Sequence, residues 1–219
     1  MTANKTDIFA DDWQGLDDLI DRLKNKTSVL QSDRIEHALR AVDRKDFVRE
    51  GYGVEAYEDY AIPIGEDQTI SQPTTVVYML EMLDIKPEQT VFDVGCGSGW
   101  TTGLLAHLVG KDGQVVGVEI KDKLAQFGQN NLDPYNFPHA EIRQGNAVAD
   151  TQPEEPFDRL LASAAAPKIP DMLTRQLRKG GILVMPVDNK VVRLVRNADG
   201  TYDRTEKEGF RFVPMKGIQ

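Results

Sequence analysis

Two acids and three glycines fall close together in this 219-residue chain, in a pattern that could hold a ligand. In "VFDVGCGSGW", residues 91–100, Asp93 stands just ahead of Gly95, Gly97 and Gly99, and Glu119 closes the next apolar run, "QVVGVE". Glycines at the tip of a strand permit a tight turn with positive φ and let a ligand approach the backbone. Most such loops cradle phosphate, which a fixed carboxylate would repel. The spacing is G-x-G-x-G, not the G-x-G-x-x-G of dinucleotide sites. Asp93 also occupies a place where those sites normally carry an apolar residue.

A ligand bearing positive charge and no phosphate suits this loop better. S-adenosyl-L-methionine, with its sulfonium and ammonium groups, meets that description. Glu119, at the end of the second strand, could accept both hydroxyls of a ribose. Asn146, in "QGNA" after the third strand, could meet an adenine edge. Asp93 alone could be a helix cap and Glu119 alone a solvated strand end; their joint placement is what points to a ligand.

Other reactive side chains form no second constellation. His37, His107 and His139 have neither metal-ligand nor triad spacing with one another or with Cys96, and His107 reads as a packing or surface residue. Cys96 has no neighbouring base to activate it and excludes both an intrachain disulfide and a multi-cysteine zinc site. No metal is expected. Asp11–Asp12 and Asp17–Asp18 read as solvated charges at a helix start.

The elements that must position the loop follow from periodicity. Residues 1 to about 12 lack any period and are expected to be loose. Leu16, Leu19, Ile20 and Leu23 make one helical stripe, and Ile35, Ala38, Leu39 and Val42 another, with Ser32 or Asp33 as N-cap. "GYGVEAYEDYAIPIGEDQTISQP" reads as a long loop with short extended pieces, and Pro73 suits the first turn of a helix. From Thr90 strands and helices alternate: "TVFDVG", "WTTGLLAHLVG", "QVVGVEI", "KDKLAQFGQNNL", "AEIRQG", "FDRLLAS". "IPDMLTRQLRKGG" reads as a helix ending in glycine, followed by the strand "ILVMPV", and strand-like runs with a "DG" turn finish the chain. This predicts an α/β, Rossmann-like fold: a mostly parallel seven-stranded sheet with helices on both faces, an N-terminal helical appendage and antiparallel C-terminal strands. A single domain over 1–219 is expected, with residues 1–72 forming the helices and acceptor-side loop and 73–219 the cofactor-binding core.

Composition narrows the partners. The formal net charge is -9 and no local basic patch is visible, so nucleic acid is disfavoured. No apolar stretch approaches 18 residues and no leader pattern is present, so no membrane contact and a cytoplasmic location are expected. Nothing marks an exposed apolar interface, and a monomer is expected.

With these residues placed, the chain resembles the protein-L-isoaspartate O-methyltransferase family from about Leu19 to Gly217. The matching blocks are "RIEHALRAVDRKDFV", "AYEDYAIPIGEDQTISQP", "FDVGCGSGWTTGLLA", "ASAAAPKIP", "GGILVMPV" and "FRFVPM", in that order. The resemblance implies an S-adenosylmethionine-dependent enzyme, with S-adenosyl-L-homocysteine as product. It would methylate the free α-carboxylate of L-isoaspartyl residues in damaged peptides and proteins, and the ester would collapse to succinimide and reopen partly to aspartate. It further implies that Asp93, Gly95, Cys96, Gly97, Ser98, Glu119 and Asn146 surround the cofactor. Thr69, Ile70 and Ser71 would face the acceptor, with Ser71 the catalytic hydroxyl nearest its carboxylate, and Val213 and Pro214 would shape the peptide side. "TISQP" could also simply cap the helix at Pro73.

Departures from the family pattern are Thr74, where an aromatic or histidine is common, Val77, Asn146, Cys96, Trp100 and "DNKVV". Three other readings remain: the same cofactor chemistry on another peptide or small-molecule acceptor, a non-catalytic cofactor-binding relative, and an NAD-linked oxidoreductase, against which Asp93 argues.

Overall fold

The computed structural model describes residues 15–149 and 156–218. The expectations for residues 1 to 12, including the Asp11–Asp12 pair, lie outside the described residues. The chain opens with helix α1 (Leu16–Asp21), which runs on as one π-helical turn, Arg22–Lys26. Helix α2 (Asp33–Ala41) follows. Both bury the stripes that the spacing selects: Leu19, Ile20 and Leu23 on the first, Ile35, Ala38 and Leu39 on the second. Ser32 holds the N-cap position of α2 without a side-chain cap. Its own N–H and that of Gln31 donate instead to Glu81 Oε1, both at 2.8 Å.

The long segment that follows carries two 3-10 turns, Arg44–Phe47 and Glu55–Tyr57, and a small hairpin, β1 (Ile62–Gly65) with β2 (Gln68–Ile70). Helix α3 (Pro73–Leu83) begins with its proline in the first turn, where no N–H is missed. The central sheet then assembles from β3 (Thr90–Val94), β4 (Gln114–Glu119), β5 (Ala140–Gln144), β6 (Phe157–Ala162), β7 (Leu177–Val187), β8 (Lys190–Arg196) and β9 (Tyr202–Glu208). Its order is β5-β4-β3-β6-β7-β8-β9; the pairings from β5 to β7 are parallel, and the β7–β8 and β8–β9 pairings are antiparallel. Helix α4 (Trp100–Val109) joins β3 to β4, and α5 (Asp122–Leu132) joins β4 to β5.

Successive strand residues divide between two cores, as a period of two requires. Val91, Val115, Leu161, Val184 and Val191 pack on the side of α1 to α4. Their neighbours Phe92, Val116, Leu160, Leu183 and Val192 face the other way, toward Leu173 of helix α6 (Asp171–Arg175). Runs buried on both faces explain why these strands read as continuous apolar segments.

One expected helix ends early and gives way to strand. "IPDMLTRQLRKGG" is helical only over Asp171–Arg175, and β7 already starts at Leu177. Pairing with β6 decides this. The Phe157 N–H donates to Gln176 O, Leu177 is fully buried, and Arg178 bonds Pro156 O and pairs with Asp158 at 2.8 Å. Those long-range partners outweigh a local helical preference that is worth only tenths of a kcal/mol per residue. Likewise "FRFVPM" forms no strand. It runs back across the sheet end, where Pro214 bridges Ala165.

Candidate functional site

Strand order reverses direction at β3, whose neighbours β4 and β6 lead to opposite edges of the sheet. The ligand crevice of such sheets lies at the carboxyl ends of the strands at this switch point, and the glycine loop sits there. Gly95, Gly97 and Gly99 all have positive φ, at 72°, 53° and 87°. Gly97 needs its missing side chain for a second reason: a Cβ there would stand 3.1 Å from Ile64 Cδ1. Gly128, inside α5, is what lets that helix approach the loop. A Cβ on it would lie 2.8 Å from Gly97 O and 3.2 Å from Gly99 N.

The loop closes one cleft, whose empty volume counted out to its mouth is ≈ 880 Å³. Gly95, Cys96, Gly97 and Ser98 line it, together with Glu119 and Asn146. Thr69, Ile70 and Ser71 line the same cleft, as do Val213 and Pro214. Stretches separated by more than a hundred residues of sequence thus converge on one space.

Asp93 is the exception, and the expectation of its direct contact with the ligand is corrected. It is fully buried and does not line the cleft. Its Oδ2 accepts the hydroxyls of Thr101 and Thr102, both at 2.7 Å, which ties the first turn of α4 to the strand below the loop. Its Oδ1 has no hydrogen-bond partner. Burial pushes its pKa up to about 6, against the two threonine hydrogen bonds and with help from the Glu119 charge. Gly117, beside it in β4, leaves the room this needs: a Cβ there would meet Thr102 Oγ1 at 2.9 Å and Cys96 Sγ at 3.2 Å. Cys96 is itself buried and its thiol pushed well up by that burial, so it is held as the neutral thiol.

The amides of the three loop glycines are already engaged. The Gly95 N–H donates to Val118 O, the Gly99 N–H to Cys96 O, and the Gly97 N–H to Glu119 Oε2 at 3.1 Å. Phosphate-binding loops present such groups free to the anion; this loop does not. Glu119 is nearly buried, and its other oxygen accepts the Lys121 N–H at 3.0 Å. A carboxylate oxygen has two lone pairs, so each retains one for a pair of ligand hydroxyls. The residues present therefore fit an adenosyl ligand without phosphate and disfavour a dinucleotide. Asn146 is held by Gly217 O at 3.3 Å and by the Val148 N–H, and so joins the loop after β5 to the C-terminal segment.

On the acceptor side, no hydrogen bond of the Ser71 hydroxyl is found among the described residues, and Ser71 is half-buried. It does not cap α3. That role falls to Asp59, whose Oδ1 accepts the Thr74 N–H at 2.9 Å and whose Oδ2 accepts the Thr74 hydroxyl at 2.7 Å. Asp59 and its partner were not singled out from the sequence, since nothing local announces a cap lying fifteen residues away. None of the three histidines lines the cleft.

The fold and the cleft are those of a Rossmann-like methyltransferase. The family model for protein-L-isoaspartate(D-aspartate) O-methyltransferase matches residues 14–219. A protein-L-isoaspartate O-methyltransferase of Methanopyrus kandleri is 37% identical over 204 residues, covering 91% of this chain and 90% of the relative. Among solved structures, a protein-L-isoaspartate O-methyltransferase of Plasmodium falciparum, in complex with S-adenosyl-L-homocysteine, superposes with a TM-score of 0.82 at 23% identity. The match covers 92% of this chain and 98% of that one. Another protein-L-isoaspartate O-methyltransferase gives a TM-score of 0.81, also at 23% identity, over 93% of this chain and 66% of the other. The chain belongs to the protein-L-isoaspartate(D-aspartate) O-methyltransferase family.

Proposed function

We propose that this protein methylates the free α-carboxylate of L-isoaspartyl residues in damaged peptides and proteins, with S-adenosyl-L-methionine as methyl donor. The observation that carries the reading is the meeting of two sets of residues on one cleft: a glycine loop with engaged amides beside Glu119, and the segment Thr69–Ile70–Ser71 with Val213 and Pro214. Family membership supports the same reading.

When bound, the donor supplies a methyl group made electrophilic by its sulfonium. Glu119 holds the ribose hydroxyls and Asn146 the adenine edge, while Gly95, Cys96, Gly97 and Ser98 give the methionine part a close-fitting wall. The acceptor carboxylate has an unperturbed pKa near 4 and is already ionised at neutral pH, so no general base is required. Its oxygen takes the methyl as the carbon–sulfur bond breaks, and the bonding pair stays on sulfur. The protein contributes alignment and exclusion of water. Ser71 donates one neutral hydrogen bond to the carboxylate, which orients it while leaving an oxygen free to attack.

The cytoplasm and a monomeric state belong to the same reading. The described exposed large hydrophobics, Val54, Tyr60, Tyr202 and Ile218, come from separate segments, and no described helix is long and apolar enough to cross a membrane. The net charge of -9 speaks against nucleic acid as acceptor.

The test is incubation with methyl-labelled donor and an isoaspartyl peptide beside the matched aspartyl peptide. Base-labile label on the first alone is expected. Label on neither, with cofactor binding intact, would transfer the cleft to a different acceptor. In the same assay Ser71→Ala should lower kcat/KM about tenfold, the worth of one hydrogen bond to a charged group, with donor affinity unchanged. Parallel loss of both would mark Ser71 as a structural residue.

A further inference from the structure

We propose that Arg44, which does not line this cleft, is a positioning residue that works with Asp59 to fix the acceptor-facing segment Thr69–Ser71 against the first turn of α4. The proposal rests on the isoaspartyl reading above, because it takes that segment to face the acceptor.

Arg44 lies in the 3-10 turn after α2 and is 1% exposed. An arginine is almost never buried without a strong reason. Among the described residues its guanidinium forms no ion pair, although the Asp59 charge is near enough to favour its protonated form. It donates to four backbone carbonyls: Nη1 to Ala56 O at 2.6 Å and Glu58 O at 3.4 Å, Nη2 to Tyr60 O and Ser71 O, both at 3.0 Å. Three of these belong to one loop and the fourth to the residue that faces the acceptor. A planar fork with donors fixed in direction can join them at one point, whereas a lysine ammonium cannot.

The other side of the guanidinium faces the cofactor wall. It lies over the Trp100 ring at 5.4 Å from the centroid. Trp100 is the first residue of α4, follows directly on Gly99, lines the cleft, and is itself fixed by a bond from Nε1 to Val42 O at 3.2 Å. Arg44 therefore stands between the helix that begins at the glycine loop and the acceptor segment. Desolvation lowers its pKa to about 10, which leaves it charged at neutral pH.

Asp59 completes the grip from the loop that Arg44 holds. With the Arg44 bonds on Ala56, Glu58 and Tyr60 to either side, its carboxylate seizes Thr74 by both N–H and hydroxyl. The stretch Ser71–Gln72–Pro73–Thr74 is thus clamped at its first carbonyl and its last amide. Thr74 stands where this family commonly has an aromatic or histidine, and the Asp59 pair gives that departure a purpose. Rigid placement matters here because misplacing a reactant by about 1 Å can cost a factor of about a hundred in rate.

The experiment uses purified full-length protein, the isoaspartyl peptide assay, calorimetric titration with S-adenosyl-L-homocysteine, and amide hydrogen exchange. For Arg44→Lys, KM for the peptide should rise about tenfold and kcat fall severalfold, while the dissociation constant for S-adenosyl-L-homocysteine stays within about twofold. Asp59→Ala should shift the same two parameters in the same direction. Asp59→Asn, which keeps an oxygen for the Thr74 N–H, should recover most of the loss. Exchange over residues 68–74 should quicken in Arg44→Lys and Asp59→Ala and stay unchanged in Asp59→Asn. A general structural role would instead weaken peptide and cofactor binding together and loosen exchange across the chain, and that outcome overturns the proposal. So would an unchanged peptide KM in a folded Arg44→Lys or Asp59→Ala. If Arg44→Lys does not fold, the Asp59 pair decides alone. If the unmodified protein transfers no methyl to the isoaspartyl peptide, the functional reading fails first, and the exchange of residues 68–74 then judges the brace by itself.

Discussion

Glu119→Ala should weaken binding of S-adenosyl-L-homocysteine by about two orders of magnitude while the protein stays folded, a loss assembled from hydrogen bonds worth roughly 1.5–3 kcal/mol each when one partner is charged. Two such bonds to a ribose would go at once. The carboxylate also organises the loop from within: Oε2 holds the Gly97 N–H and Oε1 the Lys121 N–H. Its removal leaves the Gly97 amide without a protein acceptor and free to turn, so the loop loses shape as well as its ligand contact. Glu119→Gln should fall between, near a tenfold loss, because one oxygen survives but the new amide group must face one of the two backbone donors. Calorimetric titration measures both, with the melting temperature as the check on folding. Affinity within threefold of the parent for Glu119→Ala would remove Glu119 from the binding site and with it the assignment of the ribose to the end of β4.

The strands and the loop were legible because their causes are local. Short runs rich in buried apolar residues, such as Val91–Val94 and Val115–Val118, mark the parallel strands, and the positive φ of Gly95, Gly97 and Gly99 is what glycine is for. The loop glycines, Glu119 and Asn146 were legible from type and spacing, and Thr69, Ile70, Ser71, Val213 and Pro214 through a resemblance of motifs; Gly95, Gly97 and the others named line the cleft. The failures share another cause. The Leu177 segment carries helical spacing yet pairs with β6, and Asp93 reads as a ligand acid yet is captured by Thr101 and Thr102. In both cases a partner distant in sequence, or on the far side of a turn, outweighs the local signal. Arg44 and Asp59 escaped notice for the same reason. Their hydrogen-bond partners are backbone carbonyls, one amide and one threonine hydroxyl, which a sequence does not distinguish from any others.

The misreading of Asp93 leads to the second large expectation, in which stability and binding move in opposite directions. Asp93 is an acid whose pKa rises from 3.8 to about 6 on folding, chiefly through burial. The folded state therefore holds the proton more tightly than the unfolded chain. Stability falls as pH rises from about 3.8 to about 6 and remains lowered above that, by on the order of 3 kcal/mol for a shift of this size. Asn at this position cannot ionise and still offers an oxygen to the two threonine hydroxyls, although its amide group occupies the place where Oδ1 already lacks a partner, at a cost of about 1 kcal/mol or more. Asp93→Asn should accordingly raise the melting temperature at pH 7.5 by a few degrees, about 1–2 kcal/mol in a chain of this length, and lose that advantage at pH 4. Binding should go the other way. A sulfonium over the loop favours the ionised carboxylate beneath it, so affinity of the parent for S-adenosyl-L-methionine should fall as pH drops through 6. In Asp93→Asn that dependence should vanish, with affinity at pH 7.5 about tenfold lower, and the uncharged thioether of S-adenosyl-L-homocysteine should register a smaller change. Thermal melts and titrations of both proteins from pH 4 to 8 measure this. Melting curves that stay parallel across the range would mean that folding does not raise the Asp93 pKa, and the expected stability gain of Asp93→Asn at pH 7.5 would fail with it.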